Sequence, residues 1–91
     1  PPPPLRPGLA ATATVAEDCT LGETIQIEPG ARLGTGARIG ARSYIGANTV
    51  IGEGCVIGED ARIMAGVVIY DRVRIGVRCL IHAGAARCRH H

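Results

Sequence analysis

Stepping along the chain six residues at a time from Leu9 meets an aliphatic side chain thirteen times in succession, ending at Ile81. The column runs Leu9, Val15, Leu21, Ile27, Leu33, Ile39, Ile45, Ile51, Ile57, Ile63, Ile69, Ile75 and Ile81, with no insertion to break the register. The next step lands on Arg87, where the pattern stops. Side chains recur every 3.6 residues on one face of a helix and every two on one face of a strand. Neither element needs a period of six. A fixed period of this kind marks a repeat architecture.

Three companion columns define the unit. Two residues before each aliphatic position stands a mostly small residue: Ala13, Cys19, Ala31, Ala37, Ser43, Thr49, Cys55, Ala61 and Cys79 among them. Immediately after it comes Gly at 22, 34, 40, 46, 52, 58 and 76. Three after it the chain favours Gly, Asn or Asp, as at Asp18, Gly30, Gly36, Asn48, Gly54, Asp60, Gly66 and Gly84. These residue types tolerate positive φ.

Residues two apart lie on the same side of a short strand. The small and aliphatic positions therefore point inward together, and a turn bends the chain before the next pair. Three such hexads close one coil and place each residue above the one eighteen further on. The expected fold is all-β: a parallel β-helix of about four coils, on the order of 19 Å tall at the usual strand spacing. Its hexads span residues 9–85. Residues 1–8, rich in Pro, read as a linker or cap that lacks N–H donors. Residues 86–91 read as an irregular tail.

Composition narrows the function. The net charge of +2 is too small to argue for nucleic acid, and two Tyr with no Phe or Trp leave no base-stacking surface. No apolar run approaches the roughly 18–20 residues that span a bilayer. The Pro-rich start carries no apolar segment of a signal peptide, so the chain reads as cytoplasmic. Cys19, Cys55 and Cys79 sit in the inward column as small core fillers. Cys19 and Cys55 share a stack but lie two coils apart, about 9.6 Å, beyond the ~7 Å Cα limit for a disulfide. That spacing fits a reducing compartment, with Cys88 the exposed, reactive thiol. No CxxC pair supports zinc, and His90 and His91 fall beyond the repeat, away from His82, so no metal site is expected. "GTGARIG" lacks the strand-to-helix setting of a dinucleotide loop, and no cofactor is expected.

The outward strand residues sort into three faces under the eighteen-residue stacking: Thr14, Arg32, Val50, Val68; Gln26, Tyr44, Arg62, Leu80; and Thr20, Arg38, Val56, Arg74. The Val50/Val68 face carries the least charge. It is the expected contact surface of an oligomer, because repeat stacks depend on capped ends and added interfaces.

The stretch "ARIMAGVVIYDRVRIGVRCLIHAGA" goes beyond generic repeat wording. Val68-Ile69-Tyr70, Val73-Arg74-Ile75-Gly76, Cys79-Leu80-Ile81-His82 and Gly84-Ala85 resemble the UDP-3-O-acylglucosamine N-acyltransferases of lipid A biosynthesis. The likeness covers roughly residues 7–85. It implies a left-handed winding and a homotrimer. It also implies transfer of a 3-hydroxyacyl chain from acyl carrier protein to the amine of a UDP-3-O-acylglucosamine. The family's "VIGADGFG" continuation after Ala85, its catalytic "AHN" motif and its uridine-binding domain have no counterpart in this sequence. The chain thus resembles the first coils of such an enzyme, and no catalytic residue is assigned.

His82 and Tyr70 remain the candidate substrate-binding residues. His82 offers an imidazole for general-base chemistry but has no carboxylate partner assignable from sequence, and reads first as an exposed polar corner. The acidic residues read as solvated turns. Two rival readings stand beside the N-acyltransferase. One is a non-catalytic β-helix assembly module; the other is a different acyl- or acetyltransferase built on the same repeat.

Overall fold

The computed structural model describes residues 8–83 and 85–88. Its short strands follow the hexads: β1 (Gly8–Leu9), β2 (Thr14–Val15), β3 (Thr20–Leu21), β4 (Gln26–Ile27), β5 (Arg32–Leu33), β6 (Arg38–Ile39), β7 (Tyr44–Ile45), β8 (Val50–Ile51), β9 (Val56–Ile57), β10 (Arg62–Ile63), β11 (Val68–Ile69) and β12 (Arg74–Ile75). β13 (Cys79–His82) and β14 (Ala85–Cys88) close the series. No helix among the described residues is long and apolar enough to cross a membrane.

Every third strand pairs in parallel, so the chain winds as a β-helix with three sheets. Sheet A orders β1-β4-β7-β10-β13-β14, sheet B orders β2-β5-β8-β11, and sheet C orders β3-β6-β9-β12. The register is eighteen residues throughout: Val15 pairs with Leu33, Leu33 with Ile51, and Ile51 with Ile69. Strand N–H groups donate to carbonyls of the following coil, as from Gly34 to Ile51 (2.8 Å) and Gly52 to Ile69 (2.9 Å). The three outward faces fall as the spacing predicts, with Gln26, Tyr44, Arg62 and Leu80 in one row.

The aliphatic column fills the interior. Ile27, Leu33, Ile39, Ile45, Ile51, Ile57 and Ile63 are fully buried, while Val15, Leu21 and Ile75 near the ends are only partly covered. Leu9, expected inside, is 54% exposed because β1 begins the first coil and has a neighbour on one side only. Each fully buried aliphatic side chain is worth about 1.5–3 kcal/mol.

The small column does more than fill space. Ser43 Oγ donates to the Gly58 carbonyl (3.1 Å), Thr49 Oγ1 to Met64 (2.6 Å), Cys55 Sγ to Tyr70 (2.9 Å) and Cys19 Sγ to Gly34 (3.2 Å). Each acceptor lies fifteen residues ahead. It is the corner carbonyl of the next coil, turned off the strand ladder and toward the core. A buried carbonyl without a partner costs about 1–3 kcal/mol; Ser43, Thr49 and Cys55 each supply one, and Cys19 adds to the bond that the Gly34 carbonyl already accepts from Ala37 N (3.2 Å).

The corners repeat with the same regularity. Positive φ recurs at every sixth residue from Asp18 to Arg78, at eleven consecutive positions. Gly, Asn and Asp hold seven of them. Thr24, Arg42, Arg72 and Arg78 hold the rest, at φ of 55–60°, a conformation that L-residues adopt only at a cost.

The C-terminal end differs from the expected irregular tail. After His82 the chain reverses, and β14 pairs antiparallel with β13, Cys79 opposite Cys88 and Leu80 opposite Arg87. Gly8, read as part of the linker, opens β1. Cys79 is disulfide-bonded, which corrects its reading as a free core filler and removes one support for a reducing compartment. Cys19 and Cys55 are free. The side chain of Cys88, the Pro-rich segment 1–7, and His90 and His91 lie outside the described residues.

Candidate functional site

The residue after each aliphatic position enters a corner, and the eighteen-residue register sorts these entries into three columns. Where sheet C turns into sheet A, the column is Gly22, Gly40, Gly58 and Gly76. A Cβ on Gly40 would stand 2.5 Å from the Glu59 nitrogen, and one on Gly58 would stand 2.6 Å from the Gly76 carbonyl carbon. The corners stack too closely for a side chain, so glycine is a steric requirement here. Gly76 meets nothing within 4 Å, since among the described residues no coil is stacked on that corner.

Tyr70 ends the column between sheets B and C, after Gly34 and Gly52, at the last level of that corner among the described residues. With no backbone stacked beyond it, a ring fits, and Tyr70 is 78% exposed. His82 ends β13, at the corner between sheets A and B, and is exposed; its Nδ1 lies 3.3 Å from the Ala83 carbonyl. The two sequence candidates thus stand at different corners, and the fold does not bring them together.

The corner of His82 is the least regular. Its column reads Ala10, Glu28, Gly46, Met64, His82. Glu28 and Met64 are half-buried and depart from glycine at levels where a further coil does follow. Gln26 Nε2 donates to Glu28 Oε1 across the start of this corner. Burial, then the charge of Glu28, pushes the Tyr44 phenol up from its ordinary value. Counting in six shows only that Glu28 and Met64 are not glycine. Counting in eighteen shows that they share the column of His82.

The sheet C to sheet A corner carries the main charge cluster. Arg42 meets the next coil in a fork, with Nε and Nη2 each 3.0 Å from an Asp60 carboxylate oxygen and Nη2 3.2 Å from Glu59. The hydrogen bond from Arg42 holds the Asp60 carboxyl below the usual carboxylate range, against a smaller opposing effect of burial. All three side chains are well exposed, so the cluster reads as a coil-to-coil clamp of modest value. Among the described residues no three His, Cys, Asp or Glu gather to hold a metal ion.

The comparisons with known proteins agree with this geometry. Residues 18–53 and 54–86 match the family described as "Bacterial transferase hexapeptide (six repeats)". Six-residue repeats of this kind fit a left-handed β-helix. No curated protein matches the chain.

Proposed function

Since this chain belongs to the bacterial transferase hexapeptide family, we propose that it forms substrate-contacting coils of an acyltransferase of that family. The donor is a 3-hydroxyacyl chain on acyl carrier protein, and the acceptor is the amine of a UDP-3-O-acylglucosamine in lipid A biosynthesis. That reading rests on the wording from Val68 to Ala85. The reaction would place the chain in the cytoplasm.

One observation carries a substrate-contacting role. The glycine column is unbroken at the sheet C to sheet A corner, yet at the corner of His82 it gives way to Glu28 and Met64 as well. At Gly22, Gly40, Gly46 and Gly58 close backbone approach leaves no room for a Cβ. Side chains kept in that column at two such levels point to a use other than packing. His82 would meet polar substrate atoms, Met64 would pack on apolar ones, and Tyr70 would act at the neighbouring corner. No general base is assigned, since His82 has no carboxylate within its own contacts to orient it, and turnover by this chain alone is not expected. We place the trimer contact on the Val50/Val68 face, where Val68 is 58% exposed; light scattering at micromolar protein should then read three chains.

Calorimetric titration of the chain with UDP-3-O-acylglucosamine, and separately with 3-hydroxyacyl carrier protein, tests the proposal. Binding that falls about tenfold or more in His82→Ala, the loss of roughly 1.4 kcal/mol, supports it. Absence of binding to both, by a folded chain, favours the assembly module. Turnover of the two substrates by the isolated chain would refute the non-catalytic assignment.

A further inference from the structure

Charge crowds onto one of the three sides of the prism. Sheet C and the two corners that flank it hold seven of the chain's eight acids. They also hold five of the seven Arg between residues 8 and 79. Only Glu28, Arg32 and Arg62 lie elsewhere in that span. Along this side the sign alternates level by level. At the level of β3 stand Glu17, Asp18 and Glu23, and at that of β6, Arg38 and Arg42. β9 is flanked by Glu53, Glu59 and Asp60, and at β12 three Arg (72, 74 and 78) outweigh Asp71. The net charges run −3, +2, −3, +2.

Stacking of the coils accounts for part of this charge. Arg42 is bound to Glu59 and Asp60 of the next coil. Arg38, Arg72, Arg74 and Arg78 are exposed, and among the described residues no side-chain hydrogen bond or ion pair holds them. Glu17, Asp18 and Glu23 are exposed as well. Four unpaired guanidinium groups set among seven carboxylates suit neither nucleic acid nor an anionic membrane, which the acids would repel. They suit a surface of the same alternation, reversed. Turned end for end, the series opposes +2 to −3 at every level. In parallel register it opposes like to like at every level.

We propose that the sheet C side is a contact between two copies of this chain whose helix axes run antiparallel, related by a two-fold axis that lies between the two faces and along their strands. This symmetry sets each corner against the same corner of the second copy, with the β3 level facing β12 and the β6 level facing β9. Arg72 then meets Glu17 and Asp18 of the second copy, and Arg78 meets its Glu23; each pair occurs twice, as in any isologous contact. Arg38 meets the β9 level between Glu53 and Glu59. The contact uses the side of the prism and neither end, and it leaves the Val50/Val68 face of sheet B clear. Four strands give a height of about 19 Å, and a hexad of extended chain a width of about 20 Å. The two faces together therefore bury about 800 Å², below the roughly 1,200 Å² of stable complexes. Such a contact is weak, and its charge pattern supplies orientation more than affinity.

Sedimentation velocity of the full chain at about 200 μM tests this, in about 20 mM and about 500 mM NaCl, between which the Debye length falls from about 20 Å to about 4 Å. The mean mass should be at least twofold higher in low salt than in high salt. In low salt, Arg72→Glu with Arg78→Glu should hold the chain at its high-salt mass, as should Glu17→Arg with Glu23→Arg. An equimolar mixture of the two variants should regain the twofold rise, because each reversed level then meets its opposite. Arg38→Glu, at the middle of the side, should suppress the rise as well. Circular dichroism checks that each variant keeps its β signal; where one double variant loses it, the other and Arg38→Glu carry the same prediction. A native mass indifferent to salt overturns the proposal. So does a rise that survives either double reversal, or one that mixing fails to restore. A rise abolished by the reversals but untouched by Arg38→Glu is an end-to-end contact and overturns it too.

Discussion

Gly40→Ala is the sharpest probe of the coil stacking. The added Cβ would lie 2.5 Å from Glu59 N, 2.6 Å from Gly58 C and 2.8 Å from Glu59 Cα. Ordinary contact begins near 3.4 Å, so the methyl overlaps three backbone atoms by several tenths of an ångström each. None can yield alone. Gly40 N donates to Ile57 O at 2.7 Å, and the Glu59 carbonyl accepts from Arg78 N at 2.8 Å. Opening the corner therefore strains the ladder above and below. Overpacking of this kind costs about 1–3 kcal/mol. Replacing glycine returns about 0.4–1 kcal/mol by restricting the unfolded chain. A net loss of about 1–2 kcal/mol remains, or roughly 5–15 °C in Tm for a chain of this length. Gly76→Ala is the internal control, in the same column with nothing within 4 Å; it should leave Tm unchanged or raise it slightly. Thermal melts followed by circular dichroism measure both. Equal Tm values for the two variants would refute the claim that stacked backbones dictate this column.

Thr24 is an exposed, β-branched residue at φ 59°, so Thr24→Gly should raise stability by about 0.5–1 kcal/mol, the αL cost less the added freedom of glycine when unfolded; urea unfolding reads it. Ser43→Ala removes a donor to the Gly58 carbonyl and an acceptor for Ala61 N. It should cost about 1–3 kcal/mol, whereas a side chain that only filled space would cost little. The depressed carboxyl of Asp60 contributes stability above its ordinary unfolded value near 3.9, and that contribution disappears as pH falls through the lower folded value. The urea midpoints of the native chain and Asp60→Asn should therefore differ at pH 6 and converge as the solution is acidified below about pH 4; a constant gap down to the lowest pH would disprove the linkage.

The period of six was legible because geometry enforces it at four of its positions: an inward aliphatic residue, an inward small one, a glycine under the next coil and a residue at positive φ. From those the sheets, the register and the three outward faces followed. The donor role of Ser43, Thr49 and Cys55 was not legible, because it depends on which next-coil carbonyl tilts inward. The four residues at positive φ that are not Gly, Asn or Asp were missed for a related reason. Propensity disfavours Thr24, Arg42, Arg72 and Arg78 there, but the strands on either side leave the corner no other path. β14 was missed because an antiparallel reversal after His82 has no six-residue signature, and the expected tail came from the loss of period alone. Of the candidate site, the exposure of His82 was readable; the exposure of Tyr70 and the separation of the two onto different corners were not drawn from the count.

The positions that geometry leaves free are sorted by sign, and that sorting bears on where recognition lies. Outward strand positions carry Arg at 32, 38, 62 and 74 and no acid; the first corner position carries Glu or Asp at 17, 23, 53, 59 and 71 and no Arg. A long guanidinium on a flat sheet reaches along the strand, while a short carboxylate at a corner lies beside the turn of the next coil. Glu53 N, for example, is bonded by Asp71 Oδ1 at 2.9 Å. Arg42, Glu59, Asp60, Arg62 and Asp71 are in this way committed to holding one coil on another. Glu28 is the one acid in the glycine column, outside both sets, and it stands at the corner of Met64 and His82. That placement is what the substrate titration of the native chain against His82→Ala puts to the test: binding that is indifferent to His82 would leave Glu28 and Met64 as departures from glycine and nothing more.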